Sequence, residues 1–404
     1  MQLLTCGYQG YAWGKTGDSS RVAALVGERD ANRRYAELWM GTHPSKPSFL
    51  RGTETPLKVL LEADASALDD KHVAQFGKDI PFLLKVLSID KALSIQAHPA
   101  KDHARKLHAA DPKNYPDPNH KPELVVALTQ FEALCCFRPI AEIIAFVDAI
   151  APLKALLPDF VDVARAAIGN GDKEKSVLKA AMSRLYRAAP DTVAAGLTEH
   201  LTALSAMAPT ERSDAQRVFV RTHEQFPGDI GCWMVYFLNL LHLQPGEGLF
   251  MAPNEPHAYL SGDCVEVMAT SDNVVRAGLT PKFKDVDTLL EMMTYRTDSL
   301  SGVRFHPNGQ PVQVYGPPAW CTEFVLHAVC LGQANPRAAF SLPSASIGIV
   351  VEGSCTVNGK QLTAGDIVFL PASVENVGLE LGGEATASVY FATTNLPREP
   401  AGKL

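Results

Sequence analysis

The segments Pro245-Gly-Glu-Gly-Leu-Phe-Met-Ala-Pro253 and Thr363-Ala-Gly-Asp-Ile-Val-Phe-Leu-Pro371 repeat one pattern: a turn, a short apolar strand and a second turn at proline. Four residues after the closing proline stand His257 in the first copy and Glu375 in the second. Such a repeat is typical of jelly rolls, in which two sheets pack face to face and leave one end open. We therefore predict two jelly-roll units, with the chemistry in the unit that carries the histidine.

Between these strand-like regions the chain changes character. From Pro139 to about Phe226 it is rich in Ala and Leu, and apolar residues recur at helical spacing, as at Leu178, Met182 and Leu185. Short apolar runs bounded by Gly, Pro and Asn lie before and after this stretch. The sequence thus predicts a mainly β fold with an α-helical insertion. The predicted units are a discontinuous first β domain (1–138 and 229–309), a helical insertion domain (139–228) and a C-terminal β domain (310–404).

Composition limits the classes of function. The 404 residues carry a formal net charge of −7, which argues against a nucleic-acid partner. No apolar run is long enough to span a bilayer, and the start of the chain lacks a signal-peptide core. The eight cysteines form no Cys-x-x-Cys pair, so we expect reduced thiols. We predict a cytoplasmic protein without membrane contact, whose partner is a small molecule.

Polar residues at the ends of apolar strands are the candidates for a metal site. Gln96 and His98, two residues apart, project to one side of a strand, as do His257 and Tyr259. Glu123 opens another strand, where we expect its carboxylate to stay solvated. Two imidazoles, a carboxylate and an amide oxygen suit zinc with one open position. The alternative is that the histidines are hydrogen-bonded core residues.

Basic residues near these candidates would suit a phosphate group, on an otherwise acidic chain. They are Lys101, Lys121, Arg276, Lys282 and Lys284. A carboxylate also interrupts an apolar strand at Val265-Glu-Val-Met268. Glu266 there either faces solvent or turns into a polar cavity.

The chain resembles the type I mannose-6-phosphate isomerases of the cupin superfamily over most of its length. The segments that carry the resemblance are Tyr11-Ala-Trp-Gly-Lys15, Glu37-Leu-Trp-Met-Gly-Thr-His-Pro44, Ser94-Ile-Gln-Ala-His-Pro99, Asn119-His-Lys-Pro-Glu123, Ala252-Pro-Asn-Glu-Pro-His-Ala-Tyr-Leu260 and Glu266-Val-Met-Ala-Thr-Ser-Asp-Asn-Val-Val-Arg-Ala-Gly-Leu-Thr-Pro-Lys282. The sequence departs from the family at Ala100, where an acidic or amide residue is common. The C-terminal third matches loosely, so no functional residue is carried over from it.

The resemblance implies two cupin-like jelly-roll β domains, the first binding one zinc ion per chain and the C-terminal one metal-free. The implied zinc ligands are Gln96, His98, Glu123 and His257. The implied catalytic residues are Arg276, Glu266, Lys121 and Tyr259, and Lys101, Arg276 and Lys121 are predicted to bind substrate. The expected protein is a monomer that interconverts mannose 6-phosphate and fructose 6-phosphate, for GDP-mannose synthesis and glycosylation or for entry of mannose into glycolysis.

An aldose–ketose isomerase moves a proton between neighbouring carbons through an enediol, and needs a base and a stabiliser of negative charge. Glu266 is the first candidate for the base and Lys121 the second. Lys121 could instead stay charged and stabilise the enediolate. Arg276 fits a stabiliser of negative charge on the enediolate or on the phosphate.

Two alternatives use the same residues. Two histidines and a glutamate also describe the facial triad of an iron oxygenase, although Gln96 would then fill a position that such an enzyme keeps open. A sugar-phosphate sensor without catalysis would keep the pocket but would need no base at Glu266 or Lys121.

Overall fold

The structure, a computed structural model, describes residues 1–64, 66–297, 300 and 302–397. Residues 298, 299 and 301 of the predicted first β domain and 398–404 of the C-terminal one lie outside the described residues, as does residue 65. The chain begins with β1 (Gln2–Thr5), β2 (Tyr8–Gln9), β3 (Lys15–Thr16), a 3₁₀ turn (Gly17–Ser19), α1 (Arg21–Val26), β4 (Arg34–Tyr35), β5 (Glu37–Met40), β6 (Phe49–Leu50), α2 (Leu57–Ala63), α3 (Asp70–Phe76), β7 (Phe82–Ile89), β8 (Ile95–Ala97), α4 (Lys101–Ala110), β9 (Glu123–Ala127) and β10 (Phe131–Phe137).

The middle of the chain is helical, as predicted. It contains α5 (Ile140–Ala149), α6 (Ala151–Leu156), α7 (Phe160–Ala167), α8 (Gly171–Tyr186), α9 (Pro190–Ser205), a 3₁₀ turn (Pro209–Glu211), α10 (Asp214–Gln225) and α11 (Gly231–Met234). Leu178, Met182 and Leu185 lie on the buried face of α8. None of the helices in the described part of the chain has both the length and the apolarity to cross a membrane.

Strands return after α11 and continue to the end of the described chain. They and one further helix are β11 (Leu238–Leu243), β12 (Gly248–Met251), β13 (His257–Ala269), β14 (Val275–Gly278), α12 (Val286–Met292), β15 (Arg304–Phe305), β16 (Val312–Tyr315), β17 (Val325–Gly332), β18 (Arg337–Ser341), β19 (Ser346–Val357), β20 (Lys360–Thr363), β21 (Ile367–Leu370), β22 (Asn376–Leu381) and β23 (Thr386–Thr393). The two repeated segments form β12 and β21. Antiparallel sheets with a helical insertion confirm the predicted fold class.

Strand β13 takes part in both layers of the first β sandwich. Its first half pairs with β8 and β10, and its second half pairs with β7 and β9. The change of layer falls at Gly262, which has φ +111°, and a Cβ there would lie 2.5 Å from the carbonyl oxygen of Gln130. Only glycine combines this backbone with so close an approach. One strand therefore supplies both His257 and Glu266.

The second sandwich has a strand of the same kind. Strand β19 pairs with β21 and β23 in one layer, and its last residues pair with β20 and β22 in the other. Gly353, with φ +71°, lies at this change, and a Cβ there would collide with the carbonyl oxygen of Thr386. Both β units thus fold one long strand across two layers.

The N-terminal strand belongs to the second sandwich. Strand β1 pairs with β21 on one side and with β6 on the other. The predicted boundaries assign residues 1–138 to the first β domain, so this pairing differs from the expectation. Strand β1 supplies hydrogen-bond partners to a strand edge that would otherwise be open, and it buries Leu4. The remaining domain boundaries stay a prediction.

Shared cores join the units. One cluster of buried side chains runs from Leu84 and Phe250 in the first sandwich to Ile347 and Phe369 in the second. Another joins the helical insertion to β8 and β14, which the first sandwich presents to it. A third fills the first sandwich itself. The strands that carry the candidate site are therefore packed from several sides.

Candidate active site

Three of the predicted ligands converge in the first sandwich. His98, Glu123 and His257 offer ligand atoms within 4.8 Å of one another, and all three are buried. The Nε2 atom of His98 lies 3.4 Å from Oε1 of Glu123, and that of His257 lies 3.2 Å from Oε2. Strand β8 pairs with the start of β13, where Gln96 is opposite His257, and β9 pairs with the far end, where Glu123 is opposite Met268. The change of layer at Gly262 lets these two ends of β13 face each other.

The hydrogen bonds behind the rings fix which nitrogen faces Glu123. Nδ1 of His98 is 2.7 Å from the carbonyl oxygen of Asn273, and Nδ1 of His257 is 3.0 Å from that of Glu255. A carbonyl only accepts, so each Nδ1 carries a hydrogen, and in this tautomer Nε2 is the nitrogen with the lone pair. Both Nε2 atoms are buried without a hydrogen-bond partner. Two orphaned lone pairs beside a carboxylate fit a divalent cation such as zinc.

Charge at this site follows from burial. Burial lowers the pKa of His98 to about 4, so its ring is neutral at physiological pH. Burial also acts to raise the pKa of Glu123, but His98, Lys121 and His257 outweigh it and hold that pKa well below the usual value. The expectation that the Glu123 carboxylate stays solvated was wrong, because Glu123 is only 2% exposed. Its carboxylate is stabilised by its neighbours rather than by water.

Gln96 lies between a candidate metal ligand and a basic residue in the sheet. In β8 it pairs with His257 of β13 on one side and with Arg276 of β14 on the other. Side chains opposite one another in a sheet share a face, so these three residues point to the same side. Gln96 also lines a cavity, together with Glu123 and Glu266. Its role as a fourth ligand stays a prediction.

A cavity of about 520 Å³ opens beside these ligands, in the size range of small-molecule sites. Its acidic lining includes Glu123 and Glu266. Its basic lining residues come from several strands and loops: Lys85, Lys91, Lys121, Arg276 and Lys282. The arrangement offers an anionic group several cations at a short distance from the candidate metal site.

Glu266 turns into this cavity, which decides between the two orientations that the sequence left open. The hydroxyl of Tyr259 donates to its Oε1 at 2.8 Å, and Nζ of Lys85 lies 3.1 Å from its Oε2. The same hydroxyl is 3.3 Å from Oε2 of Glu123. Burial raises the pKa of Glu266 above the usual value, although Lys85 opposes this. A buried carboxylate held at both oxygens is a suitable proton acceptor.

Lys85 and the residues that hold it were not among the site residues predicted from the sequence. Nζ of Lys85 is 3.4 Å from Oε2 of Glu37 and 5.2 Å from the ring centre of Trp39. The indole nitrogen of Trp39 donates to the same Glu37 oxygen at 2.6 Å. Burial acts to lower the pKa of Lys85, but the carboxylates of Glu37 and Glu266 raise it overall, so this buried amine stays charged. A lone charged residue in an apolar strand, the signal that identified Glu266, also marks Lys85.

The predicted basic residues do not all reach the cavity. Lys121 lies 3.5 Å from Oε1 of Glu123, and Arg276 and Lys282 line the cavity wall. Lys101 instead pairs with Glu323 at 3.2 Å, and Lys284 lies 3.8 Å from Asp229. Neither of these two lysines lines the cavity.

A jelly-roll sandwich with a buried His₂Glu cluster, a charged carboxylate–lysine pair and a basic cavity is typical of cupin-type enzymes, which can hold a metal ion beside a small-molecule site. Comparison with known sequences narrows this class. The sequence model of the catalytic domain of type I phosphomannose isomerase matches residues 1–140, and that of the helical insertion domain of the same family matches residues 161–238.

Whole-length relatives agree. Mannose-6-phosphate isomerase of Aspergillus fumigatus is 38% identical over 97% of this chain and 96% of its own, and that of Homo sapiens is 38% identical over 94% and 95%. Among solved structures, mannose 6-phosphate isomerase bound with zinc and yttrium superposes with a TM-score of 0.84 at 28% identity, over 98% of this chain and all of the other. The apo form from Salmonella typhimurium gives the same TM-score and identity, over 98% and 99%. The chain belongs to the type I phosphomannose isomerase family, whose members are aldose–ketose isomerases.

Proposed function

We propose that this chain interconverts D-mannose 6-phosphate and D-fructose 6-phosphate, using one zinc ion per chain held by Gln96, His98, Glu123 and His257. The observation that carries the proposal is that Glu123, which belongs to the buried His98–Glu123–His257 cluster, also lines the cavity that Glu266 and the basic residues line. The names of the relatives and the zinc in a related structure support the substrate and the metal. Family membership favours this reading over an oxygenase or a sensor.

Substrate binding is assigned to the basic wall. The Arg276 guanidinium stays protonated and can bind two oxygens at once, which suits a phosphate or an enediolate. Lys121 and Lys282 add charge along the same wall. Lys101 has no part in this assignment, because it pairs with Glu323 outside the cavity.

Proton transfer is assigned to Glu266. It would take the proton from C2 of the aldose and return one to C1, with Tyr259 and Lys85 holding its two oxygens in place. Lys121 is the second candidate and otherwise stabilises the negative charge that develops on O1 and O2. A zinc ion, when bound, would supply Lewis acidity toward these oxygens.

The setting of the reaction is proposed as well. A cytoplasmic monomer that supplies mannose 6-phosphate for GDP-mannose and glycan synthesis, or passes mannose to glycolysis, agrees with the sequence. Each of the eight cysteines is a free thiol, which suits a reducing compartment.

The decisive experiment combines metal analysis with a coupled assay for fructose 6-phosphate formed from mannose 6-phosphate. We expect about one zinc per chain, with activity lost on chelation and restored by zinc. Bound iron without isomerisation would support the oxygenase instead. Zinc without turnover would support the sensor.

A further inference from the structure

The segment that leaves the helical insertion runs along the cavity. Helix α10 ends at Gln225, and the turn Pro227-Gly228, with Gly228 at φ +75°, leads to Asp229 and α11. We name residues 225–231 the exit segment. On one side of it lies the cavity wall formed by residues 91–94, and on the other the wall formed by residues 279–282.

Asp229 holds the 279–282 wall through the backbone. Its Oδ1 accepts from the N–H of Leu279 at 2.7 Å, and its Oδ2 accepts from that of Thr280 at 3.3 Å. The same Oδ1 accepts from the N–H of Gly231 at 2.7 Å. Leu279 has φ +52°, a left-handed conformation that a branched side chain rarely adopts. One carboxylate therefore keeps this wall in a conformation that it would not adopt alone.

Two glycines allow the close approach that these hydrogen bonds need. A Cβ on Gly231 would lie 2.5 Å from the backbone nitrogen of Leu279, and one on Gly278 would lie 2.5 Å from Cα of Gly231. The exit segment and the start of the 279–282 wall are thus in backbone contact. Gly278 also follows Arg276 in β14 by two residues.

The 91–94 wall is held from the other end of the segment. The backbone N–H of Ala92 donates to Oε1 of Gln225 at 3.0 Å. Nζ of Lys91 lies 4.3 Å from the ring centre of Phe226, within the range of a cation–π interaction. Phe226 itself lines the cavity and is the insertion's contribution to its lining among the described residues.

We infer that the exit segment is part of the substrate site, and that Asp229 is a positioning residue that sets the distance between the two walls. The walls carry Lys91 and Ser94 on one side and Thr280 and Lys282 on the other, so their spacing decides how well a sugar phosphate is gripped. This inference rests on the proposed function. It gives the end of the helical insertion a role in substrate affinity.

The test compares Asp229→Asn and Asp229→Ala with wild type in the zinc-loaded, full-length protein. The amide keeps one acceptor but loses the charge and the second acceptor. We expect KM for mannose 6-phosphate to rise about 10-fold in Asp229→Asn and more in Asp229→Ala, with kcat falling less than about 5-fold, because misplaced binding groups weaken the grip on the substrate. Zinc content should be unchanged. Gln225→Ala removes only the hydrogen bond to the backbone of Ala92 in the other wall, so it should raise KM about 3-fold. This variant still tests the inference if the Asp229 variants fold poorly.

Asp287→Asn is the matched control. Asp287 in α12 pairs with Arg187 at 2.6 Å and so also joins the insertion to the first sandwich, but neither residue lines the cavity. We expect its KM and kcat to equal those of wild type. A merely structural role for Asp229 would lower kcat with the folded fraction and leave KM unchanged.

Binding of mannose 6-phosphate measured by calorimetry on the same proteins separates the two proposals. If wild type binds but does not isomerise, the proposed function fails, and weaker binding by Asp229→Asn still supports the role of the exit segment. If wild type isomerises and the folded Asp229→Asn and Gln225→Ala proteins keep wild-type KM and affinity, the inference about the exit segment is overturned.

Discussion

At the candidate metal site, residues behind the proposed ligands decide how the rings of those ligands are oriented. The side-chain amide of the buried Asn273 donates to the carbonyl oxygens of Asp117 at 2.6 Å and of Asn119 at 2.8 Å. Its backbone carbonyl accepts from Nδ1 of His98. Asn273 thereby fixes the carbonyl that orients the ring. Such supporting contacts commonly change metal affinity as ligands do, though by less.

Asn273→Ala should therefore weaken zinc binding by about 10- to 100-fold, although Asn273 is not a ligand. Competition titration against a zinc-chelating dye measures this. Asn395→Ala is the control, because Asn395 also donates to a backbone carbonyl, that of Cys321, but in the second sandwich. Zinc affinity as tight in Asn273→Ala as in Asn395→Ala would show that the His98 ring needs no such support.

Glu266→Gln tests the identity of the base. The amide keeps the shape of the side chain but cannot take the C2 proton, so kcat should fall by about 10²- to 10⁴-fold with zinc content unchanged. Loss of deuterium from C2-labelled mannose 6-phosphate, followed by NMR, reads the proton transfer directly. Lys121→Met serves as the comparison. Persistent C2 exchange in Glu266→Gln, together with its loss in Lys121→Met, would make Lys121 the base.

Arg276→Ala should lower turnover by more than it weakens zinc binding. The guanidinium lines the cavity beside Gln96, so its loss removes stabilisation of negative charge, worth about 10²- to 10³-fold in kcat, without removing a ligand. Parallel measurements of kcat and of zinc affinity separate the two effects. An equal loss of kcat and of zinc affinity would contradict the assignment of Arg276 to substrate binding rather than to the metal site.

At the scale of elements, strand β13 organises the active site. It carries His257 and Tyr259 before Gly262, and Glu266 after it. A straight strand would keep these side chains in one layer, with one pair of neighbours. The bend brings the first half against β8, with Gln96, and the second half against β7, with Lys85. The geometry of the site thus depends on one glycine.

Gly262→Ala should destabilise the protein by about 2 to 4 kcal/mol, because it adds a steric clash to the cost of a positive φ. Gly359→Ala is the matched control: Gly359 has φ +79° with no atom within 4 Å of an added Cβ, so it should lose only about 1 kcal/mol. Urea unfolding of both variants gives the difference. Equal losses would mean that β13 relaxes around the new methyl group at no cost.

At the scale of the whole molecule, a cluster around the buried carboxylate of Glu323 ties the two sandwiches together. Glu323, between β16 and β17, accepts from Nε2 of His120 at 2.8 Å and from Nζ of Lys101 at 3.2 Å. Both partners belong to the first β domain, and His120 directly precedes Lys121. Lys101 thus joins the domains, which explains why it does not reach the cavity.

This cluster should make stability depend on pH. Burial acts to raise the pKa of Glu323, but His120 and Lys101 lower it overall to about 2, from an ordinary value of 4.5. The unfolded chain then takes up the proton first, so the stabilisation is complete above about pH 4.5 and disappears as pH falls toward about 2. The shift corresponds to at most about 3 kcal/mol, and solvent around the half-exposed Lys101 reduces this value.

Glu323→Gln should accordingly be less stable than wild type at pH 6, with the difference shrinking as pH falls from about 4.5 toward 2. Urea unfolding of the zinc-free proteins at a series of pH values measures it. Glu380→Gln is the control, since Glu380 pairs with Arg337 at an exposed site and should show almost no difference at any pH. A difference in the free energy of unfolding between wild type and Glu323→Gln that stays constant with pH would contradict a stabilising role for the charge of Glu323.

Local patterns of the sequence account for much of this molecule. Alternating strands bounded by Gly and Pro, and helical spacing such as that of Leu178 and Met182, predicted the β units and the insertion. The ligand motifs were also local, because His98 and His257 each stand at a strand end whose neighbours position them. The same reasoning found Glu266 as a charge in an apolar strand.

Which of these residues meet depends on long-range packing in the folded chain. Four features depend on partners that lie far away in the chain. They are the pairing of β1 with the second sandwich, the burial of Glu123, the Lys85–Glu266 pair and the Lys101–Glu323 pair. Spacing along a strand indicates the side of the sheet on which a side chain lies, but it does not indicate which other strand supplies the residues that contact it. Local sequence patterns were therefore sufficient to predict the elements, the residue types of the candidate metal site and the family. Long-range strand pairing and burial decided the charges, the cavity and the contacts that complete the site.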